Sequence, residues 1–176
     1  MLSFTPSLSP NCKAFALFVS EKHDYKDPKG ILSKETRKKI DLFLKSLKSN
    51  NQKDEINSLD LSDQKKCFLI KVKNKQENSY FEEIGGSFFT FIKNSKIINS
   101  IDIYADSLNE NKDKLPRIFS EFIFGFNLKS YTFNKYKTLN KEKINKKINC
   151  KIITSLKETV QKEYKYYEAV KEGVFL

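Results

Sequence analysis

The 176-residue chain has no tryptophan, one methionine, one histidine, three cysteines and only two arginines among its 33 basic residues. Each scarcity removes a class of function. Cys12, Cys67 and Cys150 are odd in number and far apart, no CxxC pair occurs, and His23 is the only histidine. A Cys/His zinc site needs several such ligands at close spacing, so none is expected. Reduced thiols are the simple reading, with Cys67 and Cys150 acting as small buried apolar residues in strands. His23 stands in a loop without a nearby metal partner and reads as a surface residue. With one histidine and no G-x-S-x-G elbow, nothing suggests a nucleophilic triad. The five glycines form neither GxGxxG nor GxxxxGK, which disfavours a phosphate-cradling loop. No run of eighteen apolar residues exists, so no transmembrane helix is expected. The opening MLSFTPSLSPNCK lacks the basic start and long apolar core of a secretory signal. The expectation is a soluble cytoplasmic protein with no membrane partner.

What the chain has in abundance is lysine. The net charge is +11, yet Arg37 and Arg117 are the only arginines. Arginine reads guanine and phosphate with a rigid two-pronged fork, whereas lysine is a mobile point charge. Lysine, asparagine and isoleucine together also suit AT-rich coding. The charge pattern alone therefore reads as solvated surface, with nonspecific attraction to polyanions at low salt. Hydrophobic residues at 39% and aromatics at 13% provide for a sizeable core in one domain over residues 1–176.

The richest apolar stretch is Pro116–Lys137. Leu115, Ile118, Phe119, Phe122, Ile123, Phe126 and Phe133 recur at helical spacing, and a proline suits the first turn. The remaining elements alternate around it. Residues 1–12 read as a loose lead-in and Lys13–Val19 as a buried strand. Ser33 caps a helix with Ile40, Phe43, Leu44 and Leu47 inward. Leu59 and Leu61 suggest a minor edge strand, and Cys67–Val72 a core strand. Ser79 and Glu82 have capping-box spacing before a helix faced by Phe81, Ile84, Phe88, Phe91 and Ile92. Gly85-Gly86 inside that helix suggests close approach of a neighbouring backbone, because in-helix glycine otherwise costs about 1 kcal/mol. Ile97–Ala105 reads as a strand with Ile101, Ile103 and Ala105 alternating against Asp102 and Tyr104. Asn149–Thr154 is the last strand. Ser155 and Glu158 repeat the capping-box spacing before a helix lined by Leu156, Val160, Tyr164, Tyr167, Val170 and Val174. Such alternation predicts an α/β fold with a mostly parallel sheet. The densest carboxylates, Glu82-Glu83 and Asp102/Asp106, read as solvated or capping groups.

Two segments carry a family resemblance. Ser130-Tyr131-Thr132-Phe133-Asn134-Lys135-Tyr136-Lys137 and the terminal Glu168-Ala169-Val170-Lys171-Glu172-Gly173-Val174-Phe175-Leu176 resemble the N-terminal domain of leucyl aminopeptidases (cytosol aminopeptidases). The resemblance is specific over roughly residues 117–176 and architectural before them. It implies a three-layer α/β/α macro-domain-like fold with a mostly parallel mixed sheet. It also implies a noncatalytic domain that supports hexamer assembly and active-site access. The helix over 155–176 would lead toward a C-terminal catalytic domain outside these residues. That family removes leucine-like N-terminal residues from peptides with two divalent metals, manganese or zinc. Its metal-binding and catalytic residues lie in motifs resembling V-G-K-G-x-x-F-D-S-G-G and N-T-D-A-E-G-R, and neither occurs here. No catalytic, cofactor-binding or metal-ligating residue is therefore assigned, and this chain alone is not expected to be an enzyme. The implied partners are its own catalytic domain and neighbouring subunits of a hexamer.

Two other readings compete. Lys141, Lys143, Lys146 and Lys147 lie in a lysine-rich loop near Tyr131 and Tyr136, a combination suited to phosphate attraction and base stacking on single-stranded nucleic acid. Macro-like domains can also bind ADP-ribose, although Gly85-Gly86 sits in a helical stripe and forms no phosphate loop.

Overall fold

The computed structural model describes residues 2–9, 11–73, 79–95, 98–130 and 148–174. It divides into two compact units, each assembled from three chain segments. The first comprises Met1–Gln76, Ser100–Asn111 and Asn149–Lys157, the second Glu77–Asn99, Lys112–Ile148 and Glu158–Leu176.

The first unit holds a six-stranded sheet. In chain order its strands are β1 (Leu2–Thr5), β2 (Ala14–Ser20), β3 (Ile56–Ser62), β4 (Lys65–Val72), β5 (Ser100–Tyr104) and β6 (Asn149–Ile153). The spatial order is β1-β6-β5-β2-β4-β3. Every pairing is parallel except the β3–β4 hairpin. The apolar run Ala14–Val19 forms β2, and all six residues are buried, as expected for an interior parallel strand. The edge strand β3 has a register shift between Asp60 and Ser62 and places Ser58 and Asp60 in solvent. A bulge and polar side chains of this kind discourage edge-to-edge pairing with other chains.

Helix α1 (Lys34–Ser49) begins where Ser33 accepts a hydrogen bond from the Thr36 N–H. Its Ile40, Leu44 and Leu47 are buried in one core cluster with Phe15, Leu17, Val19, Cys67 and Leu69 of the sheet, and Phe43 packs at the margin. The expected stripe and the buried Cys67 are therefore as the pattern indicates.

Two expectations for this unit need correction. Residues 2–5 form β1, paired in register from Leu2↔Cys150 to Thr5↔Ile153, where a loose lead-in was expected. Strand β5 does not alternate between core and solvent: Asp102 and Tyr104 are as buried as Ile101 and Ile103. It is an interior strand, paired on its two edges by β6 and β2, and its side chains are buried on both faces.

The second unit contains α2 (Tyr80–Lys93), α3 (Leu115–Ser130) and α4 (Lys157–Val174). The backbones of α2 and α3 cross at glycine. A methyl at Gly85 would lie 2.1 Å from the Phe122 carbonyl oxygen, and one at Gly125 would lie 1.9 Å from that of Glu82. Around this contact Phe88 meets Phe122 and Phe126, and Phe89 meets Phe126 edge-on at 5.2 Å. On α3 all the expected apolar residues through Phe126 are buried, and so are Ser120, Phe124 and Gly125. Phe133 lies outside the described residues.

Four helical details differ from expectation. Phe91 is 46% exposed and Phe89 takes the buried place. Ser79 stands before α2 with a left-handed backbone (φ 70°) and makes no capping bond. Its hydroxyl donates to Glu83 at 2.8 Å, so the reciprocal pair with Glu82 does not form. Helix α4 starts two residues after Ser155, whose N–H goes to Asp106, while the Leu156 N–H goes to Thr154 Oγ1. Val160 and Tyr164 are buried along α4, but Val170 is 39% exposed.

Candidate functional site

The strand order places a topological switch between β2 and β5. From β2 the chain continues toward β4 and β3, and from β5 it continues to β6. In open parallel sheets, the crevice outside the carboxyl ends of such a strand pair is the default ligand position. Here the loop between β2 and α1 and the short 3-10 turn Ala105–Ser107 after β5 meet at that end.

Short polar side chains fix both segments. Ser107 Oγ accepts the Phe18 N–H at 2.8 Å and donates to the Tyr104 carbonyl at 2.6 Å, and the Ser107 carbonyl receives the Lys26 N–H at 3.0 Å. Asp106 accepts from Thr154 Oγ1 and from the Ser155 N–H, both at 2.8 Å, with the Lys29 ammonium 3.8 Å away. Asp27 accepts from the N–H groups of Ile31 and Leu32 and from the Tyr104 hydroxyl, and pairs with Arg37 at 3.0 Å. Ser20 Oγ donates to Asp24, and the Lys22 N–H donates to Ser20 Oγ. Each of these carboxylates holds a loop in place. A hollow of about 170 Å³ remains at the strand ends, lined by Ser20, Lys22, Asp24, Val72, Lys73, Leu108, Asn109 and Glu110.

Asp102 and Asp106 were expected to be solvated or capping. Instead they are 2% and 7% exposed. Asp106 joins the ends of β5 and β6. Asp102 accepts the Ser9 N–H at 2.7 Å, and Lys151 Nζ donates to Ser9 Oγ at 2.9 Å, so the segment before β2 is tied to the sheet. Glu83 is exposed, while burial together with Glu121 and Glu83 raises the carboxyl of half-buried Glu82. His23 occupies a tight turn with φ 62°. Its imidazole is held below its ordinary value by burial, then by Lys71 and Lys48. Among the described residues no group of three or more His, Cys, Asp or Glu side chains could hold a metal ion. No described helix is long and apolar enough to cross a membrane. The candidate nucleic-acid residues Tyr131, Tyr136, Lys141, Lys143, Lys146 and Lys147 lie outside the described residues.

The three thiols are free. Burial first, and then the charge of Asp102, pushes the Cys12 thiol up to about 11. Burial raises Cys150 to about 12 and raises Cys67 as well. Because the thiolate is the nucleophile, iodoacetamide should modify native Cys12 at pH 8 on the order of a hundredfold more slowly than an unfolded cysteine of pKa about 8.5. The rate should climb through pH 11, as followed by mass spectrometry. Full reactivity at pH 8 would contradict the burial. The linkage has a definite sign: a raised folded value stabilises fully below about pH 8.5, and that contribution is lost as the pH rises through the folded values.

No protein-family model matches the chain, and no curated protein does. Solved structures do. The fold is similar to that of a mutant of leucine aminopeptidase from tomato, with a TM-score of 0.69 and 13% identity. That match covers 99% of this chain and 36% of the tomato chain, so the present chain spans about a third of that enzyme's length. The fold is also similar to the macrodomain of DarG from Thermus aquaticus, with a TM-score of 0.58 and 12% identity over 88% of this chain and 98% of that one. At such identities the likeness establishes the fold: a macro-like mixed α/β chain with a mostly parallel six-stranded sheet.

Proposed function

We propose that the chain is the noncatalytic N-terminal domain of a leucyl-aminopeptidase-like dinuclear metallopeptidase, where it supports hexamer assembly and access to the active sites. One observation carries this reading. Nearly the whole chain superposes on about a third of the tomato enzyme, more completely and with a higher TM-score than on the isolated macrodomain. The resemblance of residues 117–176 to that family points the same way. The carboxylates at the strand ends hold loops, which fits a supporting role. On this reading the parent protein is cytoplasmic and removes leucine-like N-terminal residues from peptides. Its two divalent metals, manganese or zinc, belong to the catalytic domain. The partners of this chain are that domain and neighbouring subunits.

The purified chain is expected to release no leucine from leucyl amide in the presence of manganese or zinc, and metal-dependent turnover would refute the noncatalytic role. An antibody to the chain should detect a cellular polypeptide much larger than 20.6 kDa. A product of about that mass would instead indicate a free-standing domain. The Thermus neighbour raises a second reading, ADP-ribose binding. The strand-end hollow is smaller than the roughly 300 Å³ at which drug-sized sites begin, so calorimetric titration with ADP-ribose should give no heat.

A further inference from the structure

The hollow at the strand ends is lined by charges of both signs, Lys22 and Lys73 with Asp24 and Glu110. Two of each cancel, so the lining as a whole favours neither an anion nor a cation. The pairing among them is incomplete. Lys73 is paired with Glu55, whereas Lys22 and Glu110 form no ion pair among the described residues, with each other or with any other group. Asp24 is engaged by the Ser20 hydroxyl. The apolar part of the lining comes from Val72, at the end of β4, and Leu108, after the 3-10 turn, both buried. The frame is held by backbone bonds from the Ser20 N–H to the Asp24 carbonyl at 2.8 Å, from the His23 N–H to the Ser20 carbonyl at 2.9 Å, and from the Leu108 N–H to the Ala105 carbonyl at 3.1 Å. All of these residues belong to the first unit.

We propose that this hollow binds a free α-amino acid with an aliphatic side chain. The carboxylate pairs with Lys22, the ammonium with Glu110, and the side chain lies against Val72 and Leu108. A molecule carrying both charges satisfies the two unpaired groups at once, through charge-assisted hydrogen bonds at each end. A simple anion or a simple cation satisfies one and leaves the other as it was. Size agrees with this class. The hollow measures about 170 Å³, and a cavity of about 150 Å³ takes up benzene, so valine or leucine is of matching bulk. Because Lys22 and Glu110 are partly open to water, each pair is modest, and a dissociation constant on the order of 1 mM follows. Recognition rests on the first unit alone and is independent of the activity of any parent protein.

The test is titration of the isotope-labelled full chain with L-leucine, followed through its amide resonances. Saturable shifts are expected at Val72, Leu108 and Glu110. Isocaproate, which is leucine without the ammonium, and isoamylamine, which is leucine without the carboxylate, should each bind about tenfold more weakly. Glu110→Gln should weaken L-leucine about tenfold and leave isocaproate within about twofold. Lys22→Gln should weaken L-leucine equally and leave isoamylamine within about twofold. Such a crossed pattern separates loss of one contact from damage to the fold, which would weaken every ligand. The absence of saturable shifts up to about 10 mM L-leucine overturns the proposal. So does equal binding of the three ligands, or a substitution that weakens all three alike while the spectrum stays native.

Discussion

Gly125→Ala is expected to destabilise the second unit by about 3 kcal/mol or more, beyond the usual range for one added methyl because the obstacle is backbone. The new carbon would lie 1.9 Å from the Glu82 carbonyl oxygen and 2.6 Å from its carbon. No rotamer change relieves that overlap. The helices would have to separate by an ångström or more, opening the packing of Phe88, Phe122 and Phe126. The gain in helix propensity, about 1 kcal/mol, offsets only part of the loss. Gly85→Ala should behave similarly, since its methyl would meet the Phe122 carbonyl at 2.1 Å. Gly86→Ala should do the reverse. Its nearest neighbours would be the Gly125 oxygen at 3.5 Å and Lys129 carbons at 3.7 and 4.0 Å, which is ordinary contact. The propensity term then stands alone, and a gain of about 0.5–1 kcal/mol follows. Urea unfolding of the three variants decides the matter through the midpoint at constant slope. A stable Gly125→Ala, or Gly86→Ala proving the worst of the three, would show that the crossing has been misread.

Asp27→Ala should cost about 2–4 kcal/mol in the first unit, because it removes a buried acceptor from several part-buried donors at once. The Asp27 side chain is 6% exposed. It satisfies two N–H groups that shape the entry to α1, the hydroxyl of fully buried Tyr104, and the guanidinium of Arg37. Removing it leaves the Tyr104 hydroxyl and both N–H groups without an acceptor in a place water reaches poorly. Tyr104→Phe removes one bond and leaves Asp27 its other donors, so a loss of about 1 kcal/mol is expected. The double variant should cost less than the sum, since the two residues share one bond. Thermal or urea unfolding of the cycle measures this, and strict additivity would mean that the bond contributes nothing. Burial, followed by Asp27, raises the Tyr104 hydroxyl above its ordinary value. Its share of stability is therefore full below about pH 10 and declines as the pH rises beyond that.

How legible these features were depended on whether the signal was local. The run at β2 and the 3.6-residue stripe of α1 are local, and both elements stand where the pattern puts them. Strand β1 is four residues long, holds only Leu2 and Phe4 as apolar side chains, and derives its order from β6, whose sequence is distant. Strand β5 reads as half-buried because Asp102 and Tyr104 look polar. Only the sheet order reveals that it is interior, with its carboxylate and phenol supplied with partners by Ser9 and Asp27. The choice between Phe89 and Phe91 turned on which side of α2 faces Phe126, and two phenylalanines two residues apart give no periodic preference. The candidate site was less legible than the fold. Asp27, Asp106 and Thr154 come from three separate segments, and a sequence does not display their convergence.

The pairing of β1 with β6 also constrains the order in which the chain can be completed. Leu2 stands opposite Cys150, so β1 must wait for β6, far along the chain, before the sheet acquires its outer strand. Until then the edge of β6 is unformed, β1 has no template, and the two units share a chain that passes repeatedly from one to the other. Contacts between residues so far apart in sequence form slowly and late. Strand β1 should therefore be among the last elements of the sheet to dock, after β6 is in place. Bulk fused ahead of Leu2 would then bear more heavily on folding yield than on the stability of the finished protein.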